Sequence, residues 1–174
     1  MSIFELIDQD DADGVRALVS EVPGALHERD DQGLSPLVHA AYRGRGPVFE
    51  ALLVAAPTSD PWDRLVAGGV SGLPAPDAWS PDGFTPLHLA AFVHNAAAAR
   101  ALLDEGADPN VLARASFARV TPLGTAAFSG AVDVARVLLE HGADPSITEA
   151  GGGTPLDVAR ANGYDEIVEL LTSV

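Results

Sequence analysis

The sequence predicts an all-α solenoid of stacked helix pairs, and three observations carry that expectation. A short phrase recurs four times, starting at Ser35, Thr85, Thr121 and Thr154, so that its copies lie 50, 36 and 33 residues apart. Each copy reads hydroxyl residue, proline, leucine, and three are followed by a pair of alanines: Ala40-Ala41, Ala90-Ala91 and Ala126-Ala127. A second apolar segment follows each phrase: Val48 to Leu53, Ala98 to Leu103, Val134 to Leu139 and Ile167 to Leu171.

Each phrase is built to open a helix. A Ser or Thr hydroxyl accepts a hydrogen bond from the free backbone N–H groups of a first turn. Proline suits the first helical position, where its missing N–H costs nothing. Leu37, Leu87, Leu123 and Leu156 then point inward, and the alanine pairs let neighbouring helices approach closely. Two of the second helices end in Gly106-Ala107-Asp108-Pro109 and Gly142-Ala143-Asp144-Pro145, with the glycine and proline expected past a helix end. Before the first phrase, Ile3, Phe4, Leu6 and Ile7 suggest a short helix. Val15, Ala17, Leu18 and Val19 suggest another, entered through Asp10 or Asp11. One such pair cannot bury its own apolar face, so stacking against neighbours must do it.

A Thr-Pro-Leu phrase near a 33-residue period resembles the ankyrin repeat. The copy Thr85-Pro86-Leu87-His88-Leu89-Ala90-Ala91 carries the resemblance most fully. The resemblance implies short β-hairpin or turn connections. It divides a single domain of 1–174 into five units of about 1–30, 31–80, 81–117, 118–150 and 151–174, with an insertion at 57–80. It also implies a tie between His88 and Thr85. The equivalent positions hold Val38, Gly124 and Asp157, and those units are expected to lack the tie.

Composition sets limits on function. The net charge of −15 opposes nucleic acid and anionic membranes, which demand a positive field, and favours a basic or apolar partner. No apolar run approaches a membrane span. The first residues lack a basic region, so no secretory or transit signal is expected. With no cysteine there is no disulfide or thiolate site. A cytoplasmic, monomeric protein is expected. All ten basic residues are arginine, and with the richness in Ala, Gly and Asp this suggests a bacterial coding bias.

No nucleophile elbow, zinc-protease motif, phosphate loop or dinucleotide fingerprint is present. The histidines lack metal-ligand spacing, and the run from Asp8 to Gly14 misses the calcium-loop spacing. No catalytic residue, metal or cofactor is therefore assigned.

Departures from the repeat carry the functional expectations. The interval of 50 residues exceeds 33 by 17, and both tryptophans, Trp62 and Trp79, fall in this insertion. Asp60 is placed to cap a short helix through Leu65-Val66, with Pro61 at its first position. The resemblance places the residues after each alanine pair on a concave groove: Tyr42-Arg43, Phe92-Val93 and Phe128-Ser129. Phe84, before its phrase, falls on the same side. Tyr42, Phe92 and Phe128 would form an aromatic row, the composition of an interaction site. His39 is a further candidate for ligand contact. The hairpin from Leu112 to Arg119 places Arg114 and Arg119 around Phe117, a basic spot for a carboxylate or phosphate unless the arginines pair with Asp82 or Glu149. His94 replaces a glycine between two helices, so an altered turn or a local cost is expected there.

Two functional readings follow. The first is a protein or peptide partner held in the groove. The alternative is a small apolar ligand, bound or transformed in a pocket that the insertion closes, with His39, Asp31, Arg43 and Trp79 as its polar and stacking groups.

Overall fold

The computed structural model describes residues 1–44, 46–55, 60–115, 118–149 and 151–173. Every helix expected from the phrase is present. They are α3 (Pro36–Arg43), α6 (Pro86–Phe92), α8 (Pro122–Ser129) and α10 (Pro155–Asn162), each with proline in its first turn and Ser35, Thr85, Thr121 or Thr154 as N-cap. Their partners are α4 (Pro47–Ala55), α7 (Ala96–Asp104), α9 (Val132–Glu140) and α11 (Asp165–Thr172). Before them stand α1 (Ile3–Asp8), α2 (Ala12–Glu21) and a 3₁₀ turn at Pro23–His27. Ser2 and Glu5 close a reciprocal capping box on α1, and Asp11 rather than Asp10 caps α2.

The helices stack in two rows. In one, α1 packs on α3, α6 on α8 and α8 on α10; in the other, α2 packs on α4, α7 on α9 and α9 on α11. The core lies between the rows. Leu37, Leu87 and Leu123 are buried in it, as are all three alanine pairs and Leu52, Leu102, Leu138 and Ile167 of the second row. At the last phrase Leu156 is only partly buried, although it still packs on this core.

The insertion forms α5 (Pro61–Val66), capped as expected by Asp60, whose carboxylate accepts from the amides of Trp62 and Asp63. Helix α5 packs against both α3 and α6, the first-row helices on either side of the insertion. Leu65 and Val66 are fully buried. The Asn95 side-chain amide donates to the carbonyls of Leu65 (3.3 Å) and Gly69 (3.0 Å), fixing the exit of α5 to the start of α7. The residues Pro57, Thr58 and Ser59 at the beginning of the insertion lie outside those described.

Turns closed by backbone hydrogen bonds connect the pairs, with no β-strand among the described residues. In two of them Ser80 N donates to Phe84 O (2.8 Å) and Glu149 N to Gly153 O (2.8 Å). Adjacent turns touch: Arg114 N donates to Gly83 O (2.8 Å). A Cβ at Gly83 would lie 2.7 Å from Ala115 N, so this approach requires glycine. His94 has φ +60°, close to the +79° of Gly130 and +74° of Gly163. It keeps the glycine conformation despite its side chain, and its Nε2 meets Ser129 O at 2.9 Å.

Candidate functional site

A pocket of about 450 Å³ lies along α6, α8 and α10. Phe84, Leu89, Phe92, Val120, Phe128 and Val158 supply its apolar lining, and Tyr42, Asp82, Thr125 and Glu149 its main polar groups. Tyr42 meets Phe92 edge to face, with ring centroids 5.1 Å apart. Burial, with the carboxylate of Asp82 to which its hydroxyl donates, drives the Tyr42 phenol far above its ordinary pKa. Phe84 stands edge to face on His88 at 5.8 Å. Phe128 is 58% exposed, the most open large apolar group of this lining.

Beneath the pocket, each helix-opening hydroxyl has its own polar partner. His88 is 1% exposed. Its Nε2–H donates to Val120 O (3.0 Å), a carbonyl that can only accept. Nδ1 therefore accepts from the Thr85 hydroxyl (2.7 Å). Burial pushes this imidazole down to about 4, so it is neutral near pH 7. The ties expected to be missing elsewhere are rebuilt by carboxylates. Glu149 Oε1 accepts from Thr121 N (2.8 Å) and Oγ1 (2.6 Å). Asp157 accepts from Thr154 N (2.9 Å) and Oγ1 (2.8 Å). Asp63 of α5 accepts from the Ser35 hydroxyl.

Gly124 makes room for the tie between Glu149 and Thr121, since a Cβ there would lie 1.9 Å from Glu149 Oε1. Glu149 is 7% exposed, and its Oε2 is buried without a hydrogen-bond partner among the described residues. Burial raises both Glu149 and Asp63 above the usual carboxylate range, against the lowering effect of their hydroxyl donors.

The other expected site residues lie elsewhere. Val93 is 4% exposed and belongs to the core. Ser129 spends its hydroxyl on Ala91 O (3.0 Å), which joins α8 to α6. Arg43 is exposed and pairs with Asp8 (2.8 Å), away from the groove. His39 bridges Asp30 (Nδ1, 2.7 Å) and Asp8 (Nε2, 3.0 Å), with the Phe4 ring 5.3 Å away. Its carboxylate partners are thus Asp30 and Asp8 rather than Asp31. The His39 hydrogen bond and the neighbouring Arg43 lower Asp8. Burial opposes the same effect at Asp30, but the donors His39, Leu34 N and Gln32 N prevail.

No described residue of the insertion lines the groove. Trp62 packs on the core and lines an adjoining cavity of about 170 Å³ with Arg29, Asp60 and Leu34, and Tyr42 and Leu89 border both this cavity and the groove. Trp79 lies beneath the Arg114 guanidinium, 3.9 Å from its ring centroid. Arg119 is exposed, and neither arginine pairs with Asp82 or Glu149, which are engaged by Ser80 and Thr121. Phe117 of that hairpin lies outside the described residues. Among those described, no group of three or more His, Asp or Glu side chains is placed to hold a metal.

Sequence reasoning missed Glu149 and Asp82 as groove residues. Gly124, standing where the first complete phrase has His88, was the available signal: a missing side chain beside a capping hydroxyl leaves space for a polar group from the next turn.

The repeat frame and its capped phrases agree with comparison to known proteins. The family described as Ankyrin repeats (3 copies) matches residues 4–113 and 112–173. The chain belongs to the ankyrin-repeat family. A curated relative, the human Neurogenic locus notch homolog protein 4, is 38% identical over 88 residues. The match covers 49% of this ankyrin-repeat chain and 4% of that protein, so the chain spans only a small part of its relative. No helix among the described residues is long and apolar enough to cross a membrane.

Proposed function

We propose that the groove along α6, α8 and α10 docks a segment of a partner protein. Ankyrin repeats are generally protein–protein interaction modules. The observation that carries the reading here is the apolar pocket with Phe128 exposed at its side. Water-exposed aromatic surface of this kind gains free energy when a partner covers it. Phe92 and Phe84 are the deeper anchors, and Tyr42 is held by Asp82 where it meets Phe92. The five helix pairs act as one domain, monomeric and cytoplasmic. The arginine-only basic set fits a bacterial source. A small apolar ligand has less support, because no described residue of the insertion from Asp60 to Ser80 lines the groove.

Selection of peptides from a displayed random library, followed by mapping of amide chemical shifts, tests this. Shifts confined to Leu89, Phe92, Thr125 and Phe128 are expected. Shifts on the opposite row, at α7 and α9, would overturn the groove as the docking surface.

A further inference from the structure

We infer that the groove takes a basic side chain as its anchor, a lysine of the partner segment whose alkyl stem lies on the phenylalanines and whose ammonium pairs with Glu149 Oε2 once a small shift of that carboxylate opens it to the groove. The inference rests on the docking role proposed above and adds the chemistry of the docked residue.

Three observations carry it. First, Glu149 lines the pocket, is more than nine-tenths buried, and leaves Oε2 with no donor. A buried acceptor without a partner is costly, and a donor that completes it recovers that cost. Secondly, both Thr121 donors go to Oε1, so the unpaired acceptor capacity lies on Oε2 alone. One open oxygen suits the point charge of an ammonium better than the two-pronged guanidinium. Thirdly, the charge is complementary. Asp82 and Glu149 both line the pocket, no arginine among the described residues does, and His88 in its lining is buried and neutral. The whole chain carries −15, which attracts a basic segment toward it. The apolar walls match a lysine stem, which packs along hydrophobic surface while its head seeks a polar partner. Burial raises Glu149 in the empty groove, and an ammonium at Oε2 would draw it back toward ionisation.

The test uses two capped peptides, Gly-Leu-Lys-Leu-Gly and the same sequence with norleucine in place of lysine, titrated into the full chain by NMR. Norleucine keeps the stem and lacks the amine. The lysine peptide should bind about tenfold more tightly, and Glu149→Gln should bring the ratio of the two affinities to about one. In the unsubstituted protein, the Glu149 carboxyl ¹³C shift should move toward its ionised value on adding the lysine peptide, a readout that does not depend on the variant folding. Equal affinity for both peptides with shifts in the groove would overturn the lysine anchor and leave the docking role standing. Absence of groove shifts with either peptide would overturn both.

Discussion

His88 and Glu149 perform the same task with opposite consequences for acid stability. The unfolded chain protonates a histidine near pH 6.5, whereas folded His88 holds out to about 4. Its contribution is fully present above about 6.5 and is lost as pH falls toward 4, a span worth roughly 3 kcal/mol. Denaturant unfolding at successive pH values should show this loss, and His88→Asn should flatten it. Glu149 has a raised folded pKa, so the folded state binds its proton first. As pH falls through that raised value toward the ordinary carboxylate range, folding gains; Glu149→Gln should remove this gain. Gly124 is coupled to the same carboxylate. Gly124→Ala should cost about 1–3 kcal/mol in the native background and clearly less beside Glu149→Ala, as measured in a double-mutant cycle. The phrase made the capping hydroxyls legible in the sequence. Of their partners, Glu149 and Asp63 reach back from outside the phrase, each 28 residues beyond the hydroxyl it meets, whereas Asp157 stands at the place of His88 and ties Thr154 where the tie was expected to be lost.

Among the elements, α5 shows how far local signals reach. Asp60 and Pro61 announced its start, and Leu65-Val66 its apolar end. Nothing local said that those two side chains would fill the space between α3 and α6 rather than fold over the groove. That choice depends on partners distant in sequence: Ser35 bonded to Asp63, Arg29 paired with Asp60 (3.1 Å), and Asn95 bonded to the exit of α5. Helix α5 is therefore part of the frame. Leu65→Ala should destabilise the protein by about 2–5 kcal/mol in equilibrium unfolding, the cost of a buried cavity. A loss below about 0.5 kcal/mol would mean that α5 is not packed as described. The tryptophans follow the same logic. Trp62 rests on the core and Trp79 is covered by Arg114, so both fasten the insertion. Their position in an insertion left anchoring and ligand contact both open, because composition does not say which face a loop will cover.

Over the whole molecule, the repeat period dictated the stacking, since each pair must bury its face against the next. The period also indicated which residues share the groove side, and Tyr42, Phe84, Phe92 and Phe128 do line one pocket. It misplaced Val93, because α6 ends at Phe92 and the next residue turns into the core on its way to His94. It misplaced Arg43 as a groove residue, because Asp8 of α1 offers a charge on another side. What results is a stack with an apolar, acid-bearing groove on three consecutive pairs. Affinity for a selected groove-binding peptide, measured with Phe128→Ala alongside its thermal midpoint, is the most direct test. Phe128 is 58% exposed, so its truncation should lower affinity by about 2 kcal/mol, roughly thirtyfold, with the midpoint nearly unchanged. Unchanged affinity, or an affinity loss matched by an equal loss of folding stability, would contradict a docking role for the groove.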